Sequence, residues 1–233
     1  DMPPAVLASV ALRVETVQMG ITAGLQDRVV QSLGGLVAMN FGEMETEVRF
    51  GVRHGQYRHL DASALPPLFL AYRDAAAEPS DGYHRRLRQR FEDGDAVVRD
   101  TMHHLAGLAV EGAAALRWHD GDRFGELLGE TMTLRRQLGP LPEAQLALVD
   151  AAARPGSSAT FAGSGGAIDG AYRDGDHLER IAADVAELDA VVVPLTGDGS
   201  SDEDRSPERP SDEDETSGAV VSTLPFGTPP DDR

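Results

Sequence analysis

Apolar positions along the first quarter of the chain change from helical spacing to strand-like spacing. Over residues 5–17 they recur every three to four positions, which predicts an amphipathic helix. A shorter helix is expected over 26–33, where the glycine pair 34–35 ends it. The apolar run 36–41 then predicts a strand, and the alternation over 43–60 predicts one or two more.

Glycine and proline mark the ends of the next elements. The alternating segment is expected to turn near Gly51 or Gly55. From about residue 81 to 154 the pattern is helical. Two helices are separated by a break near Gly94, and two more follow, with Gly139-Pro140 and Pro155-Gly156 at their ends. This part of the chain therefore predicts four helices.

Short apolar runs lie on both sides of the helical segment. The run 66–73, bounded by proline and a charge, predicts a buried strand. Residues 158–173 predict a strand, a glycine loop and a second strand, and 176–188 predict a helix. The run 190–195 predicts a closing strand.

The composition changes abruptly after the closing strand. Residues 197–217 hold nine acids, two arginines and no large apolar side chain, and the block Ser-Asp-Glu-Asp occurs twice. Such a segment cannot bury enough apolar surface to offset the entropy lost on ordering. It is predicted to be disordered, and 218–233 are expected to be disordered as well because their few apolar residues show no period.

The charge balance narrows the class of protein. The net charge is −18, from 39 acidic and 21 basic residues, and every basic residue is arginine. This composition suggests a halophilic cytoplasm, where high salt screens the self-repulsion; a coding bias toward GC-rich codons is the alternative. The acidic balance argues against a nucleic-acid partner, because phosphate backbones need a basic surface.

Other absences in the sequence exclude further classes. Without cysteine there is no disulfide, cysteine–zinc site or thiol chemistry, and the seven histidines show no metal-binding spacing. No metal ligand is therefore predicted. No apolar run reaches about 18 residues, so no membrane partner is expected. The first residue is aspartate within helix-like sequence, and the chain is expected to lack its natural N-terminus.

Asp27 is the first candidate functional residue. It falls in the first turn of the predicted helix 26–33, and Gly24 before it allows close approach of backbone or ligand. The functional interpretation is a carboxylate held beside a substrate hydroxyl. The structural alternative is compensation of the helix dipole, which favours acids in a first turn by about 0.3–1 kcal/mol.

A glycine loop and an arginine pair are the other candidates. Backbone N–H groups of a loop such as Gly163-Ser164-Gly165-Gly166 can converge on an anion, although an ordinary hairpin turn has the same composition. Arg135 and Arg136 are adjacent on a helix, so at most one can point into a given cleft. Either could pair with a carboxylate or phosphate, and a solvated helix face is the alternative.

In this order and separation, the stretches resemble the C-terminal part of a GHMP-type small-molecule kinase, the superfamily that includes galactokinase, homoserine kinase and mevalonate kinase. GLQDRVVQSLGGLVAMNF resembles the segment that carries the catalytic aspartate, and FAGSGGA resembles the C-terminal glycine-rich motif. With LPPLFLAY, PSDGYHRRLRQRFEDGD and LRR, the likeness is fullest to glucuronokinase-like sugar kinases. It covers about residues 5–195.

The resemblance implies an ATP-dependent transfer of phosphate to a sugar hydroxyl, with Mg²⁺ on the nucleotide. Mevalonate or homoserine is a possible alternative acceptor, and a non-catalytic remnant or interaction partner is another interpretation. The implied roles are catalytic for Asp27 and nucleotide-phosphate binding for Gly163, Ser164, Gly165 and Gly166. Gly24, Gln26, Arg28 and Arg135 are implied to line the substrate pocket.

The resemblance also implies an α+β fold in three parts. Residues 1–62 would end the N-terminal domain, 63–196 would form a ferredoxin-like C-terminal α/β sandwich, and 197–233 would be the acidic tail. The sandwich is expected to hold one antiparallel sheet, covered by helices on one side and built from the strands 66–73, 158–163, 167–173 and 190–195.

One element of the superfamily has no counterpart in these 233 residues. The Pro-x-x-x-Gly-Leu-Gly-Ser-Ser phosphate loop does not occur in them, and the resemblance implies that it lies before residue 1. The expectation is that the isolated chain is inactive, and that a separate N-terminal half is a possible partner.

Overall fold

The structure, a computed structural model, describes residues 2–21, 23–47, 50–73, 81–163 and 166–195. These ranges contain seven α-helices and six strands, in the order α1 Pro4–Arg13, α2 Leu25–Leu33, β1 Leu36–Glu47, β2 Val52–Leu60, β3 Leu68–Tyr72, α3 Asp81–Glu92, α4 Ala96–Arg117, α5 Gly121–Gln137, α6 Glu143–Ala153, β4 Ser158–Phe161, β5 Ala167–Ala171, α7 Gly175–Ala186 and β6 Val191–Leu195. The predicted tail, 197–233, lies outside the described residues.

The N-terminal elements form a hairpin covered by two helices. β1 and β2 pair antiparallel from Leu36 opposite Leu60 to Glu47 opposite Val52. The predicted strand 36–41 therefore continues to Glu47, and of the two expected turn positions Gly51 is the one used, with φ of 63°. α1 and α2 pack together over the hairpin around a small core of Ala8, Leu25 and Val29.

The four predicted helices between 81 and 154 are present, and side-chain caps mark the start of two of them, α4 and α5. The break near Gly94 is confirmed, with φ of 84°, and Asp95 then caps α4 by accepting a hydrogen bond from the Val98 N–H at 3.3 Å. Asp120 caps α5 in the same way, from the Arg123 N–H at 3.0 Å. Such caps satisfy amide groups that the first helical turn leaves free.

The C-terminal sheet contains the four predicted strands in the order β4-β5-β3-β6, all antiparallel. Phe69 and Ala71 on β3 lie opposite Gly170 and Ile168 on β5, so these residues share one face. That face packs against α6 and α7, whose contribution to the same buried core includes Leu148, Ile181 and Val185. The predicted α+β class is therefore confirmed.

The expectation that helices cover only one side of this sheet is wrong. Ser158 and Ala171 are cross-strand partners and project from the opposite face. α5 approaches that face through Gly125, where an added Cβ would lie 3.3 Å from Ala171 Cβ, and through Gly129, where it would lie 3.4 Å from Ser158 Oγ. The absence of side chains at i and i+4 of α5 permits this close packing at the β4 edge.

The predicted boundary between 1–62 and 63–196 falls in the connection between β2 and β3. It separates the two-stranded sheet from the four-stranded one, and it stays a prediction. None of the described helices combines the length and apolarity that crossing a membrane requires.

Candidate functional site

The start of α2 presents Asp27. Gly24 is extended, with φ of −109° and ψ of 160°, and α2 begins at the next residue. Leu25 and Val29 turn into the small N-terminal core, so Asp27, between them, points outward. Its side chain is 76% exposed. Gln26 beside it is half-buried.

Arg28 connects the start of α2 to the end of the first helix. Its guanidinium lies 3.1 Å from the Asp27 carboxylate, donates to the Gly24 carbonyl at 3.3 Å and pairs with Glu15. Glu15 belongs to the π-helical turn Val14–Gln18 that continues α1. Only 16% of the Arg28 side chain is exposed, and these contacts hold its guanidinium beside Asp27.

Sequence reasoning missed Glu15. The only signal in the sequence was an acid, Glu15, within a largely apolar helical repeat, followed by an arginine, Arg28, in the next helix. Neither the spacing nor the composition shows that the two meet, because the chain reverses between them at Gly20, which has φ of 67°.

The glycine loop joins the edge strand β4 to β5. Gly163 and Gly166 have φ of 79° and 88°, a conformation that glycine adopts without strain. The loop is closed by a hydrogen bond from the Ala162 N–H to the Ala167 carbonyl at 3.0 Å. Ser164 and Gly165, which the sequence also predicts to bind phosphate, lie outside the described residues.

Arg135 lies directly at this loop. Its guanidinium donates to the Phe161 carbonyl at 2.9 Å and to the Gly163 carbonyl, and it lies 5.5 Å from the centroid of the Phe161 ring. The arrangement joins α5 to the end of β4. Arg136 points elsewhere and pairs with Asp150 of α6 at 2.7 Å, as expected for neighbouring residues on a helix.

Asp169, near Arg135, is another residue that sequence reasoning missed. It lies on β5, on the face that α5 covers, as the cross-strand partner of Thr160. Burial raises the pKa of the Asp169 carboxyl, and the positive charge of Arg135 acts in the opposite direction. An acid inside a short apolar strand was a visible signal, but its proximity to Arg135 depends on the helix that the glycines bring close.

The predicted site residues therefore form two groups. Gly24, Gln26, Asp27 and Arg28 lie at the start of α2, where Glu15 holds Arg28. Gly163 and Gly166 lie between β4 and β5, where Arg135 holds the loop. A cleft shared by the two groups stays a prediction. Within the described ranges, no group of three or more histidine, aspartate and glutamate side chains is arranged to bind a metal ion.

The C-terminal part of the chain is similar to a known protein family. Residues 111–190 match the family model described as GHMP kinases C terminal. This range runs from the middle of α4 to the residue before β6 and includes Arg135 and the glycine loop.

A curated relative agrees with this match. The chain is 40% identical over 156 residues to Glucuronokinase 1 of Arabidopsis thaliana. The aligned part is 65% of this chain and 41% of that protein, so the chain spans about two fifths of the relative's length.

Solved structures share the fold across both sheets. Phosphomevalonate kinase of Streptococcus pneumoniae superposes with a TM-score of 0.63 at 14% identity, over 83% of this chain and 62% of that chain. Lactococcus lactis galactokinase in complex with galactose gives 0.61 at 13% identity, over 83% and 59%. At such identities the likeness shows the fold alone, which this chain shares with these two kinases, while residues 111–190 are similar to the C-terminal part of GHMP kinases.

Proposed function

We propose that this chain is the C-terminal part of an ATP-dependent sugar kinase, with glucuronate as the first candidate acceptor. The observation that carries the proposal is the 40% identity over 156 residues to a glucuronokinase. The match of residues 111–190 to the GHMP kinase C-terminal family supports it. The exposed carboxylate at the start of α2 supplies a group that suits the chemistry.

In the proposed reaction, the sugar hydroxyl oxygen bonds to the γ-phosphorus of ATP. The bond from that phosphorus to the β–γ bridging oxygen breaks, and ADP leaves with the electron pair. The hydroxyl proton passes to the Asp27 carboxylate. Such base assistance contributes about 10²–10⁴-fold in rate. Arg28, held by Glu15 and the Gly24 carbonyl, fixes the carboxylate in place.

The glycine loop is the proposed contact to the nucleotide phosphates. Its backbone conformation at Gly163 and Gly166 suits N–H groups that converge on an anion. Arg135 is assigned to hold the loop, because two of its donors are occupied by loop carbonyls. The described residues offer no protein ligand set for Mg²⁺, and none is assigned.

The surface of the N-terminal elements supports a requirement for further polypeptide. Five large apolar side chains on and around α1 and α2 are between 43% and 69% exposed, namely Leu7, Val17, Met19, Ile21 and Val30. Exposed apolar surface of this kind favours association. We propose that a separate N-terminal half, carrying the phosphate loop, covers it.

The same surface favours a second candidate, a non-catalytic chain that binds another protein. The two candidates differ in one respect, since only the first needs Asp27 as a chemical group. A different acceptor, such as mevalonate or homoserine, is a variation of the first candidate, and a panel of acceptors would separate them.

The decisive experiment is a chimera. Residues 5–195 replace the segment of Arabidopsis glucuronokinase 1 that contains the aligned part, and ATP-dependent phosphorylation of glucuronate, galactose, mevalonate and homoserine is measured. The proposal expects phosphorylation of at least one sugar. A folded, monodisperse chimera with no activity on any acceptor would overturn it in favour of the non-catalytic chain.

The purified 233-residue chain alone is expected to show no sugar kinase activity. Phosphoryl transfer depends mainly on positioning and charge neutralisation around the nucleotide, and no phosphate-loop motif occurs in these residues. ATP-dependent phosphorylation by the isolated chain that disappears in Asp27→Asn would contradict this expectation while supporting the assignment of the base.

The acidic composition leads to a related proposal, a salt-adapted protein of a halophilic cytoplasm. With a net charge of −18, self-repulsion is screened as salt rises. The thermal midpoint should increase steadily with potassium chloride, and a midpoint that is unchanged or falls would favour coding bias as the origin of the composition.

A further inference from the structure

A cavity of about 360 Å³ is lined by none of the seven predicted site residues that the structure describes. It is bounded by the end of β2, the 3₁₀ turn Ala62–Ala64 and the C-terminal end of α4. Its walls therefore come from both the N-terminal hairpin and the helical part of the chain. The volume falls within the range of small-molecule sites in proteins, about 300–1,000 Å³.

Two arginines and two histidines are among the residues that line this cavity. Arg58 and His59 come from β2, and Arg117 and His119 come from the end of α4. Asp61 is the one acid in the lining, and its carboxylate accepts the Ser63 N–H at 2.9 Å to cap the 3₁₀ turn. In a chain of net charge −18, this local excess of positive charge opposes the overall balance.

The two arginines are available to a ligand. Among the described residues, neither Arg58 nor Arg117 forms an ion pair, whereas Arg123 pairs with Glu111, Glu126 and Glu130. A guanidinium presents a rigid fork of donors that matches the oxygens of a carboxylate or phosphate. Two such groups on one cavity provide several donors for a single oxyanion.

The frame that holds these side chains is well packed. Leu116, between the helix interior and the cavity, is 3% exposed. His59 is fixed in register opposite Val37. A rigid frame lowers the entropic cost of binding, because the ligand does not have to order the wall.

We propose that this cavity is a second binding site of the chain, for a small molecule that carries an oxyanion, either a phosphate ester or a carboxylate. The two arginines hold the oxyanion, and the apolar floor of Leu60, Ala64 and Leu116 accommodates the uncharged part of the molecule. The site is separate from the start of α2 and from the glycine loop, and it does not depend on kinase activity.

The chain contains a natural reporter for this site. Trp118 is its single tryptophan, lies between the cavity residues Arg117 and His119, and is 80% exposed. Binding beside it is expected to change its fluorescence without any label. Titrations of the 233-residue chain with inorganic phosphate, glucose 1-phosphate and glucuronate, at constant ionic strength set with sodium chloride, separate the phosphate and carboxylate sources. Calorimetry of the same titrations gives a second readout.

The expected result is saturable binding of at least one of these probes, weakened by roughly tenfold or more in Arg58→Gln/Arg117→Gln, since each guanidinium contributes charged hydrogen bonds. The matched control is Arg53→Gln/Arg180→Gln, which removes the same charge at exposed positions outside the cavity. Saturation with equal affinity in both double variants, or no saturation by either readout in the parent chain, would overturn the proposal. Circular dichroism establishes that both variants are folded.

Discussion

The two sheets of this chain differ in how much core stabilises them. The four-stranded sheet and its helices enclose a cluster of thirteen buried side chains, including Phe69, Leu148 and Ile181. Between the hairpin and its two helices, the buried cluster is smaller and consists of Ala8, Leu25 and Val29, with partly buried apolar side chains packed against it. The residue proposed for proton transfer lies on the second of these, and the family match lies within the part that holds the first.

This difference indicates a division of roles. The C-terminal sheet has the larger buried core, whereas the N-terminal elements expose several apolar side chains and have a smaller buried cluster. Regions with few buried apolar contacts open at lower free energy than the global unfolding step. We expect the N-terminal elements to acquire their full rigidity only when further polypeptide covers them.

Truncation of a buried side chain in each region should give the largest difference in the free energy of unfolding. Phe69→Ala removes a completely buried ring from the four-stranded sheet and is expected to lower the free energy of unfolding by about 3–5 kcal/mol. Val29→Ala in the small core removes two methyl groups and should cost about 2 kcal/mol. Chemical denaturation followed by circular dichroism measures both.

The two truncations should also differ in which part of the chain loses protection from hydrogen exchange. Hydrogen exchange should show Phe69→Ala loosening the whole C-terminal sheet, and Val29→Ala loosening only residues 4–60. If Val29→Ala destabilises α6 and α7 as much as the hairpin, the two regions form one cooperative unit and the division of roles is wrong.

Two buried glycines offer a matched pair of smaller effect. An added Cβ at Gly170 would lie 2.6 Å from the Phe69 ring and from the Ser158 carbonyl oxygen, and at Gly55 it would lie 2.5 Å from the Asn40 carbonyl oxygen. Overpacking of this kind costs about 1–3 kcal/mol. Gly170→Ala should lower the main thermal transition, while Gly55→Ala should mainly increase exchange within β1 and β2.

An alanine at Gly125 serves as the intermediate case, because its Cβ would meet Ala171 Cβ at 3.3 Å. It is expected to affect the main transition less than Gly170→Ala does. A Gly55→Ala variant that abolishes the main transition would contradict the assignment of most of the stability to the C-terminal sheet.

Buried His177 should make the C-terminal sheet sensitive to acid. Its side chain is 1% exposed and its Nδ1 accepts the Arg173 N–H at 3.1 Å. Burial, together with Arg173 and Arg180, lowers the pKa of His177. A lowered pKa in the folded state means that the unfolded state binds the proton more tightly, so stability is present above about pH 6.5 and is lost as the pH falls below it.

The measurement is the thermal midpoint from pH 7.5 to 5. His177→Gln should flatten the acid side of this profile even if it lowers the midpoint at pH 7.5, and the exposed control His104→Gln should keep the parent profile. An unchanged acid slope in His177→Gln would assign the sensitivity to another group.

The parts that the sequence predicted correctly are those with local causes. The strands around Phe69, Ile168 and Val192 are short apolar runs ended by glycine, proline or charge, so their identity does not depend on the rest of the fold. Three of the described helices, α4, α5 and α7, begin at aspartate caps that are visible in the sequence. The same reasoning shortened β1, because its second half carries polar side chains on a solvated hairpin.

The parts that sequence reasoning missed depend on distant contacts. Gly125 and Gly129 allow α5 to pack closely on the second face of the four-stranded sheet. The sequence does not reveal which strand these glycines contact. The pairing of Glu15 with Arg28, and the contact of Arg135 with the Phe161 and Gly163 carbonyls, arise only after helices and strands have packed. Asp27 could be identified from the sequence because the evidence for it is its position in a motif and does not depend on contacts with distant residues.

The central claim is that the Asp27 carboxylate takes the proton in phosphoryl transfer, and the turnover of the glucuronokinase chimera tests it most directly. Asp27→Asn keeps the size of the side chain and removes the base, so kcat should fall by about 10²–10⁴-fold while the KM for ATP stays near the parent value. Asp150→Asn, an exposed carboxylate on α6, is the control and should keep full activity. A kcat for Asp27→Asn that equals that of the control would contradict the account.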